Sequence, residues 1–373
     1  MKHQIAVGVM TAPKIEAVIP GPHSTPEHPT FLLKNVRIGI GFHWDRLEDQ
    51  EFEGTLEIRD NADGTQTAIN RLDVEDYLSS VITSEMSATS SLELLKAHAV
   101  ISRSWVLRPI ISPSTCTDKP DLSDPDRHVV WYERDAHEGF DVCADDHCQR
   151  YQGITRSFSP QVKQAIDATR GQILVYGGEI CDARFGKCCG GMTNTYRHCW
   201  DNKDLPYLQH VDDPYCSQAT PQVLDQVLND YDRETTDFLE WTVEYSQQEM
   251  QEMVSENLRT DLGQITDLQD VERSQSGHLS KLRIVGTQKE FTIGKELEIR
   301  RTLSRSHLKS SAFRVERLDI VDGIPQRFRL CGRGWGHGVG MCQIGAAVMG
   351  EQGHKFQSIL HHYYKDAEIK KIY

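Results

Sequence analysis

The sequence predicts an α+β protein. Three observations carry that reading: a β-rich opening to about residue 67, a pair of helical stripes between residues 73 and 109, and a glycine-rich turn near the C-terminus followed by helical spacing. With 38% hydrophobic and 26% charged residues over 373 positions, the chain can bury a full core. The organisation read from the pattern is a core made of residues 1–220 and 321–373, interrupted by a mixed α/β insert over 221–320.

The opening segment alternates or runs apolar at Val7-Val9, Lys34-Ile40 and Glu53-Arg59, with Gly, Pro, Asn and Asp clusters between the runs, as strands require. Asp73 is placed to cap a helix whose first turn carries Glu75 and Asp76. Val74, Tyr77, Leu78, Val81 and Ile82 then mark one apolar stripe. A second helix is expected from Ser90, with Glu93 completing a capping box, through Leu94, Ala99 and Trp105 to a stop at Pro109. Ser87-Ala88-Thr89 joins the two as a hairpin. The polar connection 109–150, holding Cys116, Cys143 and Cys148, is too long for an ordinary loop unless something ties it down. Pro160 to Tyr176 reads as helix then strand, and the insert as a helix near Gln247-Leu258 with strands near Lys281-Val285 and Glu290-Ile293. Phe356, Ile359, Leu360 and Tyr363 set the last helix.

Composition also excludes functions. A formal charge of -14 opposes phosphate-backbone binding, so nucleic acid is not an expected partner. No run of about 18 apolar residues exists to span a membrane, and the chain is expected to be soluble. The N-terminus reads as a short strand rather than a secretory signal, so the chain is either cytosolic or has lost a leader.

Four groups of residues could carry chemistry. Glu85 lies one turn past Val81 on the apolar stripe, at a helix C-terminus that disfavours an anion; burial there would keep it protonated as a general acid, while a Glu snorkelling to solvent is the plainer reading of this segment alone. His137, Cys143, His147 and Cys148 form H-x5-C-x3-HC, zinc-type ligands within a short span, with a Cys143-Cys148 disulfide or unpaired thiols as the alternatives. The run from Gly332 to Gly340 alternates glycine with bulkier residues. It lacks a Walker lysine and a following acidic ribose partner, so a phosphate loop is rejected in favour of close backbone packing that presents Arg333, Trp335 and His337 on one face. Trp335 could stack on a sugar, with His337 and Gln343 as polar contacts; a buried glycine-rich turn explains the pattern equally well. Finally, Cys188, Cys189 and Cys199, flanked by Cys181 and Cys216, allow a second metal site, a thiol nucleophile paired with His198, or structural thiols.

These segments in order resemble the stage II sporulation protein D (SpoIID)/LytB family. The resemblance rests on Leu72-Asp-Val-Glu-Asp-Tyr-Leu, Val81-Ile-Thr-Ser-Glu85-Met86, Leu95 to Arg103, Asp141 to Gln149, Cys189-Gly-Gly191 with Asp212 to Cys216, and Gly332 to Gln343, across roughly residues 70 to 364. Cys342 stands where a serine is usual, Ser87 breaks a common Met-Pro pair, and the 109–136 connection is long for the family. The resemblance implies a peptidoglycan lytic transglycosylase acting on peptide-stripped glycan strands, with Glu85 as its catalytic residue and Arg333, Trp335, His337 and Gln343 against substrate. Zinc would sit on His137, Cys143, His147 and Cys148 in a structural role. Two other functions stay open: a non-catalytic enhancer of a cell-wall amidase, and a zinc-dependent amidase. The implied location is the cell envelope, after loss of a leader.

Overall fold

The computed structural model describes residues 3–40, 45–112, 124–132, 137–156, 159–229, 232–235 and 237–373. Cys116 and much of the long 109–150 connection lie outside the described residues. Helices and strands mix throughout, so the protein is α+β as the sequence predicts.

The opening strands are Gln4–Ala12, Thr30–Ile38, Arg46–Glu53, Thr55–Asp60 and Gln66–Asp73. Three of them, with Val142–Cys143 added at one edge, form a four-stranded sheet in which Val142–Cys143 runs parallel to the first strand at Val7 and Gly8. That short pairing ties down the far end of the connection. Strand Gln66–Asp73 runs directly into helix α1, Val74–Glu85, where the Asp73 carboxylate accepts from the Glu75 amide at 3.0 Å.

Helix α2, Leu92–Ile111, differs from its expected limits at both ends. Its cap is Ser91, not Ser90, and the capping box is absent: Ser90 Oγ donates to the Gln226 carbonyl at 2.8 Å, while Glu93 accepts from Lys96 Nζ and from the Phe356 amide. Tertiary partners have taken both side chains. The helix also runs past Pro109, which in the last turn removes one ladder bond while Ile110 still packs on the core. The capping box that does form is Ser246 with Glu249, at the head of helix Gln247–Leu258.

Between α1 and α2 lies a buried ion pair. Arg103 Nε and Nη2 donate to the two Glu75 oxygens at 2.9 and 2.7 Å, with the guanidinium wholly inaccessible. Removing one partner of such a pair strands the other charge. Arg103→Met is therefore expected to cost about 3–5 kcal/mol, read from chemical denaturation.

Among the described residues, buried side chains form two hydrophobic cores. The larger gathers the opening strands, α1, α2, helix Gln343–Glu351 and helix Phe356–Tyr363, and it includes Val223 and Val227 of helix Pro221–Val227. The second runs from Trp241 to Leu330. In it, strand Ile324–Arg333 lies between Glu240–Ser246 and Phe313–Val321, beside a sheet of Ile265–Arg273, Leu279–Gly286, Glu290–Gly294 and Arg127–Val129. The chain leaves this core directly into the glycine-rich turn. Gly334, Gly336, Gly338 and Gly340 all have φ between 72° and 101°. At Gly340 a Cβ would also meet the Arg184 carbonyl, so only glycine fits. The turn then enters the two-residue strand Met341–Cys342, parallel to Phe185–Gly186, and Trp335 bridges to Cys188.

Candidate active site and metal centre

The stripe on α1 buries Val74, Tyr77, Leu78, Val81 and Ile82, and the next turn delivers Glu85, half-buried, into a cleft of about 1050 Å³. Glu85 Oε1 accepts from the Arg150 amide at 2.9 Å. Lys187 Nζ donates to the Glu85 carbonyl at 2.8 Å, capping the helix end, and pairs with Asp232 at 2.6 Å. Asp232 also takes Arg150 Nη1 at 3.2 Å. Burial holds the Glu85 carboxyl above its ordinary range, the nearby Arg150 and Lys187 pull it back, and Asp146 adds to the rise. This carboxyl can hold a proton to higher pH than an exposed glutamate, as a general acid must.

The sign of a pH profile follows. If protonated Glu85 is the active form, activity falls as pH rises through its raised pKa. Lys187→Met removes a cation that favours the carboxylate, and is expected to move that falling limb to higher pH; a pH–rate series on both proteins measures it.

The cleft walls are aromatic: Trp105, Trp131, Tyr132, Trp200 and Trp335 all line it. Trp335 stacks on Phe238, with centroids 6.2 Å apart, and Arg184 lies 4.1 Å over the Trp200 ring. His337 also lines the cleft, edge-on to Trp200, and its Nδ1 accepts from the Val339 amide at 3.0 Å. Burial, then Arg184 and Arg300, lowers its pKa to about 3, so the ring is neutral. Gln343 is buried at the cleft floor, 3.3 Å from His98, whose own pKa burial lowers to about 3. Arg333 departs from the expected single face. It is not among the lining residues; its guanidinium turns away to the Ser276 carbonyl at 3.0 Å. Arg333 ends the paired strand, and Gly334 after it has a φ of 79°, which breaks the alternation that would otherwise put Arg333 and Trp335 on one face.

His137, Cys143, His147 and Cys148 come together, with all four ligand atoms within 4.8 Å of one another. His137 Nε2 lies 3.1 Å from Cys148 Sγ, and His147 Nδ1 lies 3.6 Å from Cys148 Sγ and 4.0 Å from Cys143 Sγ. A tetrahedral zinc with ordinary bond lengths needs S···N edges of about 3.5 Å, so the donor set fits that ion. Cys143, His147 and Cys148 line the same cleft as Glu85, and Arg150 follows two residues after Cys148. The proposed pairing of His198 with a cysteine is not found. His198 Nδ1 bonds Thr195 Oγ1 at 2.7 Å, and among the described residues no cysteine sulfur hydrogen-bonds it.

Comparison with known proteins bears on these features. A stage II sporulation protein model matches residues 62–176, which hold Glu85 and all four metal-type ligands, and a domain of unknown function (DUF8618) matches residues 194–340. Stage II sporulation protein D of Bacillus subtilis is 25% identical over 82% of this chain and 76% of its own length. Through the matched segment 62–176 the chain is similar to the SpoIID/LytB family. An uncharacterized protein of Brachyspira hyodysenteriae is similar at 27% identity, over 82% of this chain and 68% of that one. The amidase enhancer of Bacillus subtilis is 24% identical over 77% of this chain, which spans 39% of that protein.

Sequence reasoning missed the residues that set the environment of Glu85. Lys187, Arg150 and Asp232 lie 102, 65 and, through Arg150, a further 82 positions away. No local period links them. Arg184, Trp131 and Trp200 were also missed; a scan for aromatics beside the cysteine-dense region would have found Trp200 next to Cys199. Among the described residues, no helix is long and apolar enough to cross a membrane.

Proposed function

We propose that this protein is a peptidoglycan lytic transglycosylase that cleaves the MurNAc-GlcNAc bond of peptide-stripped glycan strands. The observation that carries the reading is a desolvated glutamate at a helix end inside a tryptophan-walled cleft, within the segment matched by the stage II sporulation protein model. Protonated Glu85 gives its proton to the bridging oxygen as the C1–O bond breaks and an oxocarbenium-like centre develops. The carboxylate so formed takes the proton of the MurNAc C6 hydroxyl, whose oxygen attacks C1 and closes a 1,6-anhydro ring. One strand ends in a new GlcNAc 4-hydroxyl, the other in 1,6-anhydroMurNAc, and no water is consumed.

Aromatic walls suit sugar rings, whose C–H faces pack on indole, and Trp335 and His337 supply that surface with Gln343 below. Zinc held by His137, Cys143, His147 and Cys148 would be structural: its four positions are filled by protein, and it would fix the loop that delivers the Arg150 amide to Glu85. The site of action would be the cell envelope. The similarity to an amidase enhancer makes a cell-wall amidase the protein partner to test.

Three further carboxylates line the cleft, Asp145, Asp146 and Glu296, and Asp146 is the one tied to Arg150. Asp146 is bound by Arg150 Nε at 2.7 Å through one oxygen, and its Oδ2 has no partner among the described residues. The product distinguishes its two roles. Mass spectrometry of fragments from peptide-free glycan is expected to show 1,6-anhydroMurNAc ends. Reducing-end MurNAc, heavier by one water, would mean that a second carboxylate such as Asp146 activates water and that the enzyme is a hydrolase. Equal cleavage of intact sacculi would overturn only the preference for naked strands.

A further inference from the structure

A second cluster of metal-type ligands lies wholly inside the protein, away from the solvent-facing histidine and cysteine set. Cys189, Asp213, Cys216 and Cys342 bring one ligand atom each to within 4.8 Å of all the others. They are 2%, 0%, 0% and 2% exposed, which leaves no access for a solvent ligand. Cys189 Sγ stands 3.9 Å from Cys216 Sγ and 3.2 Å from Asp213 Oδ2. The edge between two sulfurs on a tetrahedral zinc is about 3.8 Å, whereas a disulfide would need about 2.05 Å.

Charge gives an independent argument. Asp213 is fully buried, and among the described residues its carboxylate hydrogen-bonds Cys189, Tyr215 and Tyr363, none of them a lysine, arginine or histidine. Its oxygens take the Tyr215 amide at 3.1 Å and the Tyr363 hydroxyl at 3.0 Å, an oriented carboxylate with neutral partners only. A buried carboxylate without a cation is costly, and a divalent ion removes that cost. The sulfurs are prepared as well: the Cys189 and Gly345 amides both point at Cys342 Sγ, each at 3.4 Å, where helix Gln343–Glu351 begins. Such N–H donors stabilise a thiolate.

We propose that Cys189, Cys216 and Cys342, as thiolates, and the Asp213 carboxylate bind a second, structural zinc ion. On binding, the three thiols release their protons to solvent, and no redox change takes place. The ion would join segments up to 153 residues apart: the strand end after Lys187, the loop 213–216, and the start of the helix that carries Gln343. Lys187 caps Glu85, so the buried ion would brace the cleft floor from beneath. The inference does not depend on the reaction proposed above.

Elemental analysis of the purified wild-type protein is expected to find two zinc ions per chain. Cys143→Ser should retain one of them. Reloaded with cobalt, that variant should show thiolate-to-metal absorption of a three-sulfur tetrahedral site, stronger than that of the two-sulfur site left in Cys216→Ser. If Cys216→Ser does not fold, the zinc count and the cobalt spectrum of Cys143→Ser still decide the matter. No metal in folded Cys143→Ser, or a Cys189–Cys216 disulfide mapped in the native protein, would overturn the proposal.

Discussion

Glu85→Gln is expected to leave the fold intact and to lower glycan cleavage by about 10²–10⁴-fold, the range that general acid–base catalysis contributes. The amide keeps the shape of the side chain and can still accept from the Arg150 amide, so the 2.9 Å contact survives while the transferable proton is lost. The substitution also places a neutral group where burial already disfavours the anion, so the melting temperature should not fall. Turnover of denuded glycan, with circular dichroism on the same samples, separates the two effects. Near-wild-type turnover would remove Glu85 from the mechanism and leave a glycan-binding enhancer of an amidase as the better reading.

Cys143→Ser is expected to lose the zinc held with His137, His147 and Cys148 and to destabilise the protein strongly. Structural zinc binds small folding peptides with about 10–16 kcal/mol of apparent free energy. If only ~4 kcal/mol of that supports this larger fold, at about 2–4 °C per kcal/mol, the melting temperature drops by on the order of 10 °C. Cys143 belongs to the strand that pairs with Val7 and Gly8, and the chain beyond it leads to Arg150, so glycan cleavage should fall together with stability. Unchanged melting with lost activity would instead make the metal part of the chemistry. A metal-free protein with a mapped Cys143–Cys148 disulfide would defeat the site.

Reading the sequence worked where contacts are local. The Asp73 cap, the α1 stripe ending in Glu85, the helix Gln247–Leu258 and the final helix Phe356–Tyr363 all follow from spacings of three or four residues, which depend only on helix geometry. The capping box failed for the opposite reason. Ser90 and Glu93 have the right spacing, but Gln226 and Phe356, from distant segments, offer their side chains better-placed partners.

The candidate site divides along the same line. By sequence alone, the H-x5-C-x3-HC spacing puts four metal-type ligands in reach of one another, and alternating glycine marks a turn that only glycine can make. Only tertiary structure decides that Glu85 is desolvated, that Lys187 and Asp232 brace it, and that Arg333 turns out of the cleft while Trp335 stays in. It alone also gathers Cys189, Asp213, Cys216 and Cys342 into one buried group. The physical reason is range: backbone geometry correlates residues within a turn or a strand, whereas the field at a carboxylate and the closing of a ligand cluster are set by segments that packing brings together from far along the chain.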